Sequence, residues 1–557
     1  MLKFQYLQDG SPAQDLPLRG VYLLGTDGNA MRCDVRVDKG MILIEKRETG
    51  SAAFALLHRV GDIGEITLQT CVLPERDEPY LLSLELARHR LMVLFSKLED
   101  WQMFDLGPDH PVTKRAEKAR KLFVEALCFQ GTDPVKSQEF AEQCLAVALD
   151  GSEELALAHS DMLVQRRKAS PTLSRHIIGC GVALDDAHER LRVGLAANVD
   201  YLALPVPWKV LAPEEGDYHW SRMDGWADWA AQSRTAVLAG PLISFGGENL
   251  PDWLYIWEHD YDTIRDMAYE HIERVVGRYR NAVVAWNVVA GLHVNSHFSF
   301  NFEQLMDLTR TGLMLVKKLQ PQARAIVEIH QPFGEYYSYN QRSIPPMMYA
   351  DLVVQSGVPF DGFSIKLPMG QARPGQYTRD LMQLSNILDE YGGFGKPIYL
   401  TLAAPSEPVT QMMIADTESD QPVDDHAGFW RRPWSPVVQG HWLEATFQIA
   451  ASKPYVEGVA WQQLLDNADI ELPLSGLIGE ELRPKPAYRR WTAFRRNLLT
   501  DSGQAPAEMP PPASDEAELD LMPRKQLHPD PDAPHETEPT SAPSASTDSS
   551  DSSKDTL

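Results

Sequence analysis

Glu328 stands inside an apolar run, Ala325-Ile326-Val327-Glu328-Ile329, where a carboxylate must either find a partner or shift its pKa. Further acids follow apolar runs: Glu258 and Asp260 in one place, Asp466 and Asp469 in another. Two carboxyl groups facing each other in a cleft can act as acid/base and nucleophile, but that chemistry needs sub-ångström placement and not mere presence. Glu328 and Asp466 are the substitutes to watch, and the blander reading of Glu328 is a salt-bridged structural residue. His293 and His297 are four apart, and His259 lies between acidic residues. Such a pair binds metal when it lies on a helix with a third ligand, whereas Asn295 and Ser296 between them read as loop. No metal and no cofactor are expected. No GxSxG signature of a serine triad occurs.

Aromatic residues form a second group. Trp208, Trp253, Trp257, Tyr336, Tyr337, Trp430, Trp434 and Trp461 all lie at or just past the ends of strand-like runs. Sugar rings have apolar C–H faces that stack on indole and phenol rings. The expected carbohydrate-binding set is therefore Trp208, Trp253, Trp257, Trp430, Trp434 and Trp461. For Trp208 and Trp461 the competing reading is plain packing at the end of the core.

Strand-like and helix-like segments alternate from Arg175 to Leu499 and must carry these side chains. The strands are expected at Ile177 to Ala183, Tyr201 to Val206, Ala236 to Leu242, Val283 to Val289, Ala325 to Ile329, Gly362 to Lys366, Pro397 to Leu402 and Gly458 to Gln462. An amphipathic pattern follows each: Asp186 to Leu195, Arg222 to Ala231, Asp262 to Tyr279, Phe302 to Leu319, Pro345 to Ser356, Tyr377 to Tyr391, Val437 to Ser452 and Pro486 to Leu498. Eight such units predict an α/β fold of the TIM (β/α)8 barrel type over residues 171–500, with function in the loops after the strands. A doubly wound sheet is the alternative, but Gly179-Cys180-Gly181 lacks the rest of a phosphate-loop fingerprint.

Residues 1–75 read as a small β module of the sandwich or jelly-roll kind. Short apolar runs (Val21 to Leu24, Met31 to Val37, Met41 to Ile44) are separated there by Thr26-Asp27-Gly28-Asn29 and Asp38-Lys39-Gly40. Residues 76–170 read as a helical bridge. Leu84, Ala87, Leu91, Leu94, Phe95 and Leu98 mark one buried face, and further helices are expected at Thr113 to Cys128, Pro134 to Leu149 and Ser152 to Arg167. Residues 501–557 contain no Phe, Trp, Tyr, Val or Ile and predict a disordered acidic Pro/Ser-rich tail.

Several barrel loops resemble glycoside hydrolase family 10, the β-1,4-xylanase family. Pro207-Trp208-Lys209 through Pro213, Gly216, Tyr218 and Trp220 is similar to the family's KWxxxxPxxGxFxF stretch, with Asp224 following. Leu250-Pro251-Asp252-Trp253 is similar to QxPxW. His271-Ile272, Arg278-Tyr279 and Trp286-Asn287-Val288-Val289 are similar to HI…RY…WDVVNE. Phe360-Asp361-Gly362 to Ile365 is similar to IDGIGxQ, and Pro484 to Tyr488 contains the closing KPAY. The resemblance covers the barrel only.

It implies retaining hydrolysis of xylan-type chains by two glutamates about 5–5.5 Å apart. At the corresponding positions this chain has Gly291, after Ala290, and Leu402, after Thr401. The sugar-gripping shell departs too: Ala203, Leu204 and Pro207 replace Glu, Asn and Lys, Phe245-Gly246 falls near the Trp-His, and Lys366 and Pro368 replace Gln and His. The expectation is a xylanase-type O-glycosyl hydrolase relative, inactive at the family's catalytic positions, that binds a β-linked polysaccharide or oligosaccharide. One alternative is an active hydrolase with a non-standard carboxylate arrangement, and another is an intracellular interaction scaffold.

A net charge of -26 argues against a nucleic-acid partner, because phosphate binding needs a basic surface. Cys33, Cys71, Cys128, Cys144 and Cys180 are odd in number and include no CxxC pair, so neither a disulfide framework nor a zinc site is expected. Without a visible signal peptide or a segment able to span a bilayer, the expected location is cytoplasmic, with no membrane partner.

Overall fold

Apolar β-forming runs from residue 177 onward close into a barrel of eight parallel strands. The computed structural model describes residues 1–8, 10–13, 18–169, 177–186, 189–409, 426–466 and 471–499. In order, the barrel strands are Ile178–Gly181, Tyr201–Leu204, Ala236–Ala239, Ala285–Ala290, Arg324–Ile329, Gly362–Pro368, Ile398–Ala403 and Val456–Trp461. Each pairs with the next, and the eighth closes on the first with Ile178 opposite Val459. Gly179 serves this closure. A Cβ there would lie 2.3 Å from the Tyr201 ring, so the glycine admits the neighbouring strand's aromatic.

All eight expected barrel helices are present, over Glu189–Asn198, Ser221–Ser233, Tyr261–Tyr279, Phe302–Leu319, Pro346–Gln355, Leu381–Gly392, Pro436–Ser452 and Pro486–Leu499. Their starts follow from capping chemistry. Asn301 with Gln304, and Asp380 with Gln383, form reciprocal capping boxes that satisfy first-turn N–H groups. A short helix, Trp208–Leu211, and short 3-10 turns such as Leu292–Val294 lie in the loops after the strands and had no periodic signal.

The N-terminal β module is present as two main sheets. Leu2–Gln5, Cys33–Asp38, Met41–Lys46 and Tyr80–Leu81 form one. Lys39 and Gly40, both at positive φ, make the two-residue turn between Cys33–Asp38 and Met41–Lys46, a geometry that Gly40 favours. Tyr22–Leu24, Ala30–Met31, Ala53–Val60 and Gly64–Gln69 form the other sheet, which gains Phe429–Trp430 from the far end of the chain. Three helices follow: Leu82–Asp100, Pro111–Phe129 and Pro134–Lys168. The last corrects the expectation of two helices, since Asp150-Gly151-Ser152 continues the helix without a break. Gly151 is there for packing: a Cβ on it would come within 3.2 Å of the Arg115 Cβ on the neighbouring helix.

Module, helices and barrel cluster into a single unit. The expectation of a disordered tail, and Asp469, lie outside the described residues. Among those residues, no helix is long and apolar enough to cross a membrane.

Candidate functional site

Side chains from several barrel strands converge at the C-terminal mouth. Glu328 near the end of the fifth strand is 8% exposed and accepts hydrogen bonds from Asn287 Nδ2 (2.6 Å) on the fourth strand and Ser364 Oγ (2.9 Å) on the sixth. His330 Nε2 lies 2.8 Å from its other oxygen. Burial alone would raise this carboxyl. The bond and charge of His330, with Lys366, hold it below the ordinary carboxylate range. Glu328 is thus a fully engaged carboxylate.

A second cluster adjoins it. Lys366 of the sixth strand forms an ion pair with Glu471, which arrives after the eighth strand. Glu471 also accepts from Gln376 Nε2 (3.1 Å) and Gln462 Nε2 (3.2 Å). Burial would raise Glu471, but Lys366 and His330 bring it down to about 2. Burial likewise works against the Lys366 ammonium, yet Glu471, Glu248 and Glu328 push its pKa up.

Glu248, in the loop after the third strand, lines the same cavity of about 150 Å³ with Glu471, His330 and Gln331. Its side chain is open to solvent from the mouth while protein crowds the rest of it. That crowding, then the charge of Glu471, raises its carboxyl against the pull of Lys366, His330 and Arg373. Glu248 and Glu471 were not singled out from sequence. Both lie in loops without periodicity, and their convergence depends on barrel closure.

Gly291 and Leu402, the positions that the sequence resemblance sets against the family's two glutamates, have different surroundings. Gly291 caps the fourth strand at φ +64, and a Cβ on it would meet His330 Nδ1 at 2.6 Å. Leu402, on the seventh strand, is 0% exposed and lies opposite Leu367 and Trp461 in the two flanking strands.

The proposed substitutes and platforms fare unequally. Asp466 is corrected to a structural role: it is buried, pairs with Lys485 at 2.6 Å, and accepts from the Gly476 N–H at 2.7 Å. Asp260 caps the helix Tyr261–Tyr279, and Glu258 sits on the surface beside His259. His293 is buried, stacks on Tyr349 and contacts the His330 carbonyl, and burial lowers its pKa to about 3. His297 lies 3.2 Å from the Tyr255 hydroxyl. No metal-binding cluster occurs among the described residues.

Four of the six expected tryptophan platforms are corrected, because a stacking platform needs an open ring face and theirs are covered. Trp208 stacks on His271, Trp434 packs on Trp442, and Trp461 Nε1 donates to the Ser475 carbonyl at 2.7 Å. Trp430 is 0% exposed and donates to Glu153 at 2.8 Å. Trp253 and Trp257 are half-buried and keep part of their surface open. Tyr336 is buried, and Tyr337 packs against Tyr22 and Ala30 of the β module.

Comparison with known proteins agrees with this architecture. Residues 205–401 match glycosyl hydrolase family 10. An endo-1,4-beta-xylanase of Agaricus bisporus is 23% identical over 250 residues, which cover 42% of this chain and 70% of that protein. Native xylanase 10B from Thermotoga maritima is 16% identical, with a TM-score of 0.43 over 58% of this chain and 96% of its own. Xylanase 10B from Thermotoga petrophila in complex with xylobiose is also 16% identical, with a TM-score of 0.42 over the same shares, 58% and 96%. Eight parallel strands close into one TIM barrel, and the part of it from the end of the second strand to the seventh is similar to glycosyl hydrolase family 10.

Proposed function

We propose that the barrel mouth binds a β-linked glycan or oligosaccharide without the paired-glutamate hydrolysis of family 10. One observation carries this reading: neither position set against a family glutamate is able to present an acid to the mouth. At Gly291 the left-handed backbone and the His330 ring occupy the start of any side chain, and at Leu402 the side chain is sealed in the core. Retaining hydrolysis needs both carboxyl groups on opposite faces of the sugar. The family match and the xylobiose complex of the Thermotoga petrophila neighbour support a saccharide ligand. Calorimetry with xylo- and cello-oligosaccharides, run beside a reducing-sugar assay on xylan, cellulose and aryl glycosides, tests it. The expected result is saturable binding without product; turnover at the family's positions is refuted by silence in the second assay, and binding by silence in the first.

A second reading has its own observation. Glu248 and Glu471 share one cavity and are pushed in opposite directions, Glu248 up and Glu471 down, which is how an acid and a carboxylate divide roles. In that case the chain hydrolyses glycosides by a non-standard pair. Any turnover detected should then disappear in both Glu248→Gln and Glu471→Gln; turnover that persists in either variant rules it out.

A further inference from the structure

The loops after the fifth and sixth barrel strands are tied together by a buried ion pair. Glu335, 5% exposed, follows the fifth strand and pairs with Arg379, 3% exposed, which follows the sixth. The Arg379 guanidinium also lies over the Phe333 ring, 3.8 Å from its centroid. The other Glu335 oxygen accepts from the Gly375 N–H at 2.5 Å. Gly375 in turn rests on Gln331: a Cβ there would come within 2.6 Å of the Gln331 Cγ. Gln331 lines the mouth cavity and holds a φ of 45°, a left-handed backbone that a glutamine keeps only where its surroundings enforce it.

The N-terminal β module completes the burial of this pair. Arg379 Nη2 donates to the Tyr22 hydroxyl at 3.1 Å, and Tyr22 is itself buried in the module. Tyr337, in the same turn as Glu335, packs against Tyr22 and Ala30, and the strands Tyr22–Leu24 and Ala30–Met31 both contact that turn. Gly20 lies against the Tyr377 ring, where a Cβ would come within 3.3 Å. An arginine–carboxylate pair open to water holds its geometry weakly, whereas a buried pair with further hydrogen bonds is rigid. The module therefore changes what the Arg379–Glu335 pair can hold in place.

We infer that Tyr22 is a positioning residue for the barrel mouth: through Arg379 and Glu335 it fixes the loops after the fifth and sixth strands, and with them the Gln331 wall of the cavity. Its consequence for saccharide binding rests on the reading above, while its consequence for the loops does not. The module is thereby part of the frame of the mouth.

Hydrogen exchange of the full chain, followed by mass spectrometry, tests the loops without a ligand. Tyr22→Phe keeps the ring and removes one acceptor from Arg379. Amides of residues 331–338 and 371–378 are expected to exchange about tenfold faster, the value of one hydrogen bond to a charged group, while those of the strand Arg324–Ile329 stay unchanged. Tyr80→Phe removes a hydroxyl bonded elsewhere in the module, to the Pro74 carbonyl at 2.9 Å, and as the stability control should leave both loops as they are. Arg379→Lys should loosen the same loops, and adding Tyr22→Phe to it should change nothing more, because Tyr22 acts through the guanidinium. Xylotriose calorimetry is the second arm, with binding about fivefold weaker in Tyr22→Phe than in the wild type or Tyr80→Phe. Unchanged loop exchange in Tyr22→Phe, equal changes in Tyr80→Phe, or additive effects of Tyr22→Phe and Arg379→Lys overturn the inference. Wild-type binding that Tyr22→Phe leaves intact overturns it too. Absence of wild-type binding refutes the glycan reading instead, and loop exchange then decides the role of Tyr22.

Discussion

Leu402 and Gly291 differ from the glutamates they would have to become in more than their side chains. Leu402 is fully buried between two strands, so a carboxylate there would be shut off from water. We expect Leu402→Glu to cost about 3 kcal/mol or more, read as a lowered thermal midpoint, because an unpaired charge would be buried. The double variant Gly291→Glu, Leu402→Glu should yield no hydrolysis, since His330 and the positive φ oppose any side chain at position 291. Glu471 makes a separate prediction. Its carboxyl is held at about 2 in the folded chain against an ordinary value of 4.5. A lowered folded pKa gives stability that is complete above the ordinary value and is lost as the pH falls from about 4.5 toward about 2. Denaturant midpoints measured across that interval should drop, and Glu471→Gln should flatten the slope while lowering the plateau, because Lys366 is left unpaired.

At the scale of elements, the N-terminal region is joined to the loops that follow barrel strands five to seven. Arg90, on the helix Leu82–Asp100, donates twice to Asp380 (3.1 and 2.5 Å), and both side chains are buried. Asp380 also caps the barrel helix Leu381–Gly392, so one carboxylate serves two elements. Glu153 does similar work: it accepts from the Leu381 N–H (3.1 Å) and from Trp430 Nε1, and pairs with Arg431. Removing one partner of a buried pair leaves the other charge uncompensated, at about 3–5 kcal/mol. Arg90→Ala should therefore lower the unfolding free energy by that amount in urea titration. A loss below about 1 kcal/mol would mean the pair is solvated and the join is not electrostatic.

For the whole molecule, these joins make the β module and helices part of the barrel's stability. The Thr67 N–H donates to the Thr378 carbonyl at 2.8 Å, Tyr22 meets Arg379 at 3.1 Å, and Phe429–Trp430 completes a sheet begun by residues 22–69. The full chain should melt in one transition by calorimetry. A chain beginning at residue 171 should be markedly less stable or aggregate, because it exposes the apolar face around Trp430 and an unpaired Asp380. Two resolved transitions in the full chain would contradict this coupling.

The order of the eight strands and helices was legible because period-2 and 3.6-period apolar patterns are local properties of the chain. The boundaries moved by a few residues at most, and the two helices expected on either side of Gly151 are one 35-residue helix in which that glycine packs against Arg115, a contact that local sequence does not show. The identities of Gly291 and Leu402 were legible residue by residue. Which tryptophans are open was not, since Trp430 becomes covered by Glu153 from 277 residues away. Nor was the meeting of Glu248, Lys366, Glu328 and Glu471, which come from four separate loops or strands. Local sequence determines what each segment can form; only closure of the barrel decides which charges share a cavity, because that sharing is set by distance in space and by which partners have already claimed the donors.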